Sequence, residues 1–253
     1  MAAAVLAGHN QYPPAYGTAA LREAVADHQR RRYGLEYEPQ GEVLVTTGAT
    51  EALAASLLAL CDPGDEVLAF DPCYDAYPAG ARFAGARLVP VPLAEDGDRF
   101  VLDADALRAA VGPRTRVLLL NTPHNPTGKV FTEAELAAIA GLCREHDLTV
   151  VTDEVYEHLV YGTEAHRTIA ALPGMRERTL TISSAGKTFN VTGWKVGWVC
   201  GLGASGGGGG RGEAVPHLRL RHSVPGGARA GPGGAWRSGP RSCGGRCSAI
   251  ATC

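Results

Sequence analysis

Short apolar stretches with the length of β-strands alternate along most of this chain with segments that have the pattern of helices. The clearest is Val117-Leu118-Leu119-Leu120, which is too short for a helix and runs directly into polar residues. Strands that alternate with helices are typical of a mostly parallel sheet with helices on both faces. The predicted strands are 43–47, 66–70, 87–92, 116–121, 148–151, 178–183 and 195–200. We therefore predict an α/β fold with three layers, α/β/α.

Capping residues mark where several of the helices begin and end. Thr18 is predicted to cap a helix that stops at Gly34. Thr132 and Glu135 have the spacing of a capping box, for a helix that ends near His146. Two further helices are predicted, an apolar one up to Cys61 and a short one over 103–111.

One segment, 183–198, has the composition of a nucleophile site. Lys187 lies in a run of small and hydroxylated residues, with Ser184 three positions before it and Lys195 eight positions after it. A desolvated lysine readily forms Schiff bases with carbonyls, and a hydroxyl with a second cation can bind phosphate. Pyridoxal phosphate requires both features. The alternative is an exposed lysine in a polar loop, which is the usual situation for lysine.

Two loops that follow predicted strands also have the chemistry of a site. Gly48, Ala49 and Thr50 form a turn of small residues between a strand and a helix start, where free backbone N–H groups bind anions. Many αβ units have such turns, so this motif alone is weak. Asn125 lies in the proline-rich loop 121–129 and could donate its amide to a phenolate or a carboxylate. The alternative for this loop is a rigid turn without a ligand.

Three more residues at strand ends are candidates. Asp153 follows the strand 148–151 and is either a helix cap or a functional charge that pairs with a pyridine nitrogen. Tyr156, three residues later, could hydrogen-bond a ring oxygen of the cofactor. Tyr74 follows another strand and could stack on a planar ring, although from its position alone a core tyrosine is the better interpretation.

Together these motifs resemble the class I aminotransferases, the fold-type I pyridoxal-phosphate enzymes, and within them the kynurenine, glutamine and methionine aminotransferase branch. The resemblance covers about residues 6–200. It is most specific in the Asn-Pro-Thr-Gly loop at 125–128 and in the order of four residues, which are Asn125, Asp153, Tyr156 and Lys187.

The resemblance implies roles for all the candidates. It implies that pyridoxal 5′-phosphate is the cofactor, and that Lys187 is the catalytic residue that binds it covalently. The residues implied to bind the cofactor phosphate are Gly48, Ala49, Thr50, Ser184 and Lys195. Those implied to contact the cofactor ring are Tyr74, Asn125, Asp153 and Tyr156.

The resemblance also implies a homodimer. The segment 1–17 is rich in glycine and proline and is expected to lie at the subunit interface. Tyr12 would then reach the phosphate in the neighbouring subunit, whereas a packed surface tyrosine is the alternative. Residues 18–200 are expected to form the large, cofactor-binding domain of a fold-type I enzyme.

The tail, 201–253, is rich in glycine, proline and arginine and is predicted to be disordered. With suitably chosen third bases, residues 214–225 can be back-translated so that another reading frame resembles the family's continuation, which is compatible with a frameshift in a GC-rich gene. A frameshift would make the arginines of the tail a by-product and argues against nucleic-acid binding. Relatives continue here with a small domain that supplies an arginine for the substrate carboxylate. That domain is expected to be largely missing, so we expect the chain itself to have negligible transaminase activity.

The implied reaction is transfer of an amino group between an amino acid and a 2-oxo acid. Two alternatives stay open: carbon–sulfur β-elimination on the same cofactor, as in a cysteine-conjugate β-lyase, and a non-catalytic fragment of a disrupted gene.

Composition and sequence patterns bear on the class of protein, its cellular location and the presence of metal sites. Apolar residues make up 45% and charged residues 20%, which is typical of a soluble globular protein. No apolar run reaches the ~18 residues of a membrane span, and the first residues lack the pattern of a secretory signal. We expect a cytoplasmic protein without membrane contact. Cys243 and Cys247 have no partnering pair with zinc-site spacing, so no metal site is expected.

Overall fold

The computed structural model describes residues 2–162 and 165–201. Within these ranges the strands are β1 (Val43–Thr46), β2 (Glu66–Asp71), β3 (Arg87–Pro92), β4 (Ala94–Asp96), β5 (Arg99–Val101), β6 (Thr115–Asn121), β7 (Thr149–Asp153), β8 (Thr179–Ser184) and β9 (Gly197–Cys200). The α-helices are α1 (Ala2–Leu6), α2 (Ala19–Tyr33), α3 (Ala49–Leu60), α4 (Ala76–Phe83), α5 (Ala104–Ala109), α6 (Glu133–Glu145) and α7 (Ala185–Thr188). Short 3₁₀ helices cover Ile169–Ala171, Arg176–Arg178 and Thr192–Trp194.

Seven of the strands form one sheet in the order β1-β9-β8-β7-β6-β2-β3. The five strands from β8 to β3 pair in parallel, and β9 pairs antiparallel with both β8 and β1. The prediction of a mostly parallel sheet is confirmed, and the seven predicted strands are these seven. The separate β4–β5 hairpin was not predicted.

The sheet is buried on both faces, as strand β6 shows. Its side chains alternate between two hydrophobic cores, one on each face. Val117 and Leu119 belong to the core under α3 and α4, and Leu118 and Leu120 to the core under α5 and α6. All four are at most 1% exposed. Full burial of each such side chain stabilises the fold by roughly 1.5–3 kcal/mol. The result is the predicted three-layer arrangement.

The predicted helix caps are also present. The Thr18 hydroxyl accepts a hydrogen bond from the backbone N–H of Leu21, and Gly34 ends α2 with φ 70°. Thr132 and Glu135 form the reciprocal capping box of α6.

Next to the edge strand β1, strand β9 runs very close to the start of α3. A Cβ on Gly197 would lie 2.6 Å from the backbone nitrogen of Ala49 and still nearer to the carbonyl carbon of Gly48. Only glycine allows this approach, which fixes β9 against the turn that follows β1.

Among the described residues, none of the helices combines the length and the apolar character that a membrane crossing requires. The tail for which we predicted disorder and a frameshift lies, from residue 202 onward, outside the described residues.

Candidate active site

A cavity of about 280 Å³ opens at the carboxyl ends of β6, β7 and β8, the edge at which open α/β sheets bind ligands. Most of the predicted site residues line it, namely Gly48, Ala49, Thr50, Tyr74, Asn125, Asp153, Tyr156, Ser184, Lys187 and Lys195. It is also lined by residues that were not predicted, including Thr47, Tyr77, Asn121, Val155, Gly186 and Thr192.

One end of the cavity has the features of an anion site. Gly48 has φ 81° and precedes the first residue of α3, so the free N–H groups at the start of a 12-residue helix face the cavity region. Lys195 packs on this turn, with its Cα within 3.9 Å of the position a Gly48 Cβ would take. Ser184, the last residue of β8, lines the same cavity. A helix terminus, a hydroxyl and an ammonium group together suit a phosphate.

Asp153 lines the same cavity as a buried carboxylate. Burial raises its pKa to about 6, although a hydrogen bond from Tyr77 and one from the backbone of Val155 work in the other direction. The Tyr77 hydroxyl donates to Oδ2 at 2.9 Å, and the Val155 N–H donates to Oδ1 at 3.3 Å. A carboxylate oxygen can accept more than one hydrogen bond, so Asp153 can still accept one from a ligand.

Asn121 holds the proline-rich loop against this carboxylate strand. Its Nδ2 donates to the backbone carbonyl of Asp153 at 2.8 Å, and its Oδ1 accepts from the backbone N–H of Asn125 at 2.7 Å. Since each amide end has a fixed partner, the loop that bears Asn125 is anchored to the end of β7.

Lys187 lies in the short helix α7, directly after β8. Its Nζ is 5.4 Å from the centroid of the Tyr156 ring, and both residues line the cavity. The lysine is exposed and not desolvated in this structure, so its amine is within reach of a ligand. Tyr74 is 40% exposed and contacts Tyr77 edge to face, with ring centroids 5.7 Å apart.

Tyr12 is the predicted site residue that the structure does not bring to this cavity. Its side chain is 98% exposed. Its expected role lies in the cavity of a neighbouring subunit, and that role stays a prediction.

A second buried carboxylate, Glu157, lies on the other face of the sheet and behaves differently from Asp153. Burial alone would raise its pKa, but hydrogen bonds from His28 and Tyr33, with the charges of His28 and His158, outweigh burial and bring it to about 2. Sequence analysis did not single out this group, because its partners come from a distant part of the chain.

A family model described as aminotransferase class I and II matches residues 5–221. The match extends beyond residue 200, where the sequence motifs stop, and the additional residues from 202 onward lie outside the described part of the chain. The resemblance deduced from the motifs is thereby confirmed.

Individual relatives agree with the family match. The chain is 57% identical over 198 residues to a probable N-succinyldiaminopimelate aminotransferase of Mycobacterium tuberculosis, which covers 78% of this chain and 50% of that protein. It is 47% identical to mouse kynurenine–oxoglutarate transaminase 1, over 76% of this chain and 47% of the relative. The solved structure of the Mycobacterium tuberculosis N-succinyldiaminopimelate aminotransferase superposes with a TM-score of 0.81 at 52% identity, covering 87% of this chain and 55% of that one.

The chain therefore spans about half the length of the curated relatives it matches. Both of these relatives are named as aminotransferases or transaminases, so neither favours the β-lyase alternative.

Proposed function

The chain belongs to the aminotransferase class I and II family, and on that premise we propose that it serves pyridoxal-phosphate-dependent transfer of an amino group between an amino acid and a 2-oxo acid. One observation carries the proposal. A lysine amine, a buried carboxylate and the N-terminus of a helix converge on one cavity. Lys187 and Asp153 are the two side chains of this set.

The residues present fit the cofactor that the family uses. Pyridoxal phosphate has an aldehyde, a ring nitrogen that can be protonated, a ring oxygen and a phosphate. The cavity offers an amine for the aldehyde (Lys187), a buried carboxylate for the nitrogen (Asp153), a phenol for the oxygen (Tyr156) and an anion site. Aromatic Tyr74 at the rim supplies a face for the ring.

When bound, pyridoxal phosphate supplies an electron sink conjugated to the α-carbon of the amino acid. The contribution of Asp153 is to hold a proton on the ring nitrogen, because a buried carboxylate is stabilised by a positive partner and stabilises that partner in turn. Tyr77 and the Val155 N–H fix the direction of this carboxylate. Their positions make Asp153 a preorganised partner.

The amine of Lys187 has two tasks in this proposal. It would hold the cofactor through its aldehyde, and once free it would carry a proton to and from the substrate α-carbon as general base and acid. Tyr156, whose ring centroid lies 5.4 Å from Nζ, would donate a hydrogen bond to the ring oxygen of the cofactor. Asn125, whose backbone N–H donates to Asn121 Oδ1, would donate its side-chain amide to the same oxygen.

Phosphate binding is proposed for Gly48, Ala49 and Thr50 through backbone N–H groups and the threonine hydroxyl, together with Ser184 and Lys195. The position of these residues around one end of the cavity supports this role. We also infer a homodimer, in which the exposed Tyr12 reaches the phosphate of the partner, and a cytoplasmic location, for which the composition of the sequence is the support.

The cofactor role is tested by incubating the purified chain with pyridoxal phosphate, reducing with borohydride and mapping the labelled peptide. We expect one label per chain, on Lys187. The chain offers Lys129 as an internal control, because its Nζ is buried and paired with Glu135 at 2.7 Å. A label on Lys129 or Lys195, or no label, would contradict the proposal.

A further inference from the structure

Two histidines and a buried carboxylate meet on the face of the sheet that lies away from the cavity. His28 comes from α2, and Glu157 and His158 come from the turn after β7. His28 Nε2 is 3.0 Å from Oε2 of Glu157, and His158 Nε2 is 4.0 Å from Oε1. One ligand atom from each of the three lies within 4.8 Å of the others.

The consecutive residues Ser183 and Ser184 show that this cluster is separate from the cavity. Successive side chains of a strand point to opposite faces of the sheet. Ser184 lines the cavity, whereas the Ser183 hydroxyl donates to Oε1 of Glu157 at 3.0 Å. The cluster is therefore not part of the proposed cofactor site, and that site does not explain it.

The distances between the three groups are close to those of a metal site. Zinc binds imidazole nitrogen and carboxylate oxygen at about 2.0–2.2 Å, so its ligand atoms lie about 3–4 Å apart. The His28–Glu157 pair already has this spacing, and His158 needs only a small side-chain movement. Imidazole with carboxylate is a set that suits zinc and its first-row neighbours.

The carboxylate is held in place as metal-binding carboxylates are. Tyr33 donates a hydrogen bond to Oε2 of Glu157, and Ser183 donates to Oε1. Such partners orient a ligand and are important for affinity. The side chain of Glu157 is 1% exposed.

Access from solvent is provided by the two histidines. The side chains of His28 and His158 are 29% and 32% exposed, and their rings lie 5.5 Å apart. The charge of Arg32, which acts on His158, opposes a cation. An ion would thus be held by three protein ligands and water, in an exchangeable site.

We propose that His28, Glu157 and His158 bind one divalent transition-metal ion, with zinc as the expected occupant. The ion would take the place of the proton that now lies between His28 and Glu157. It would join α2 to the turn after β7, two elements that are far apart in the sequence.

The test uses the full chain after removal of metals by a chelator. Zinc binding is measured by calorimetry and cobalt binding by its visible spectrum, in the parent, in the double variant His28→Ala/His158→Ala, and in His146→Ala. His146 ends α6 and its side chain is 36% exposed, so it is a matched control outside the cluster. The histidines and cysteines of the tail are retained in all three proteins, and any binding by them cancels in the comparison.

We expect the double variant to lose one equivalent of zinc, and the tetrahedral cobalt spectrum, that the parent and His146→Ala retain. Two further variants, His28→Ala and His158→Ala, should each bind zinc about tenfold or more weakly than the parent does. Zinc should also raise the unfolding midpoint of the parent and leave that of the double variant unchanged. Equal stoichiometry and affinity in the parent and the double variant would overturn the proposal, as would a parent that binds no zinc. Urea unfolding without metal shows whether the double variant is folded.

Discussion

The hydroxyl of Tyr77 donates a hydrogen bond to Oδ2 of Asp153 across 2.9 Å, and both buried side chains line the cavity. Tyr77 is 1% exposed. Burial raises the pKa of its phenol well above the usual value, and the charge of Asp153 and the hydrogen bond to it act in the same direction. The phenol is therefore a permanent donor, and the carboxylate that it holds is the group for which we propose contact with the cofactor ring.

The first prediction concerns Tyr77→Phe. Because the Tyr77 hydrogen bond lowers the pKa of Asp153, its loss should raise that pKa above about 6. A larger fraction of Asp153 is then neutral near neutral pH, and cofactor affinity should fall more steeply on acidification than in the parent. Affinity for pyridoxal phosphate measured against pH checks this. Tyr161→Phe, at a site that is 82% exposed, is the control, and identical profiles for the two variants would count against the role of Tyr77.

The second prediction concerns stability against pH in the cofactor-free chain. Folding raises the pKa of Asp153 from 3.8 to about 6, so the folded state binds the extra proton. Stability from this group is thus present below about pH 4 and lost as pH rises to about 6, by about 3 kcal/mol at most. Asp153→Asn is neutral at every pH and should avoid this loss.

Urea unfolding of the parent and of Asp153→Asn across that pH range measures the difference directly. The stability difference should grow in favour of Asn as pH rises and then level off. A constant difference would mean that the carboxylate does not titrate in this window. In the presence of pyridoxal phosphate the order should reverse, because the positive ring nitrogen stabilises the ionised Asp153.

The third prediction concerns the phosphate end of the cavity. Lys195→Gln should weaken the affinity for pyridoxal phosphate by about tenfold, since one charge-assisted contact is lost. The affinity for pyridoxal, which lacks the phosphate, should not change. Fluorescence titration with the two ligands makes the comparison within one variant. Equal losses for both ligands would place the effect of Lys195 elsewhere than on the phosphate.

The fourth prediction concerns Gly197→Ala. The new methyl group would overlap the Gly48–Ala49 peptide, and the strand would have to move away from the turn. We expect a loss of about 1–3 kcal/mol in the free energy of unfolding, together with weaker phosphate binding. Gly193→Ala is the matched control, because a Cβ there has no atom within 4 Å. Similar unfolding midpoints for the two variants would refute the argument from close approach.

Sequence reasoning found the residues that parallel topology brings together. Asp153 ends β7, and Lys187 and Asn125 follow β8 and β6; the carboxyl ends of these strands meet at one edge of the sheet. Their convergence therefore needs only the strands and their direction, and both can be predicted from apolar runs that alternate with helices.

It did not find Tyr77, for a local reason. This residue lies in α4, whose sequence includes Pro78 and Gly80, and both residues disfavour a helix. Proline is tolerated there because it lies in the first turn, where no intrahelical N–H is required. Neither was the β4–β5 hairpin predicted, since Glu95 and Asp96 interrupt any apolar alternation. The His28–Glu157 contact depends on tertiary packing alone.

The antiparallel strand β9 has a consequence for how the protein is synthesised. β1 has its ladder hydrogen bonds with β9 only, and in the described residues β9 is the last strand to leave the ribosome. β1 therefore lacks its strand partner until the other strands of the large sheet have been translated, although the Val45 N–H can already donate to the Tyr16 carbonyl. The anion-binding turn after β1 is fixed by the same late strand. A nascent chain should therefore bind its cofactor only after β9 has paired with β1. Before that pairing the partly formed sheet is most exposed, so chaperone binding is expected mainly at this stage.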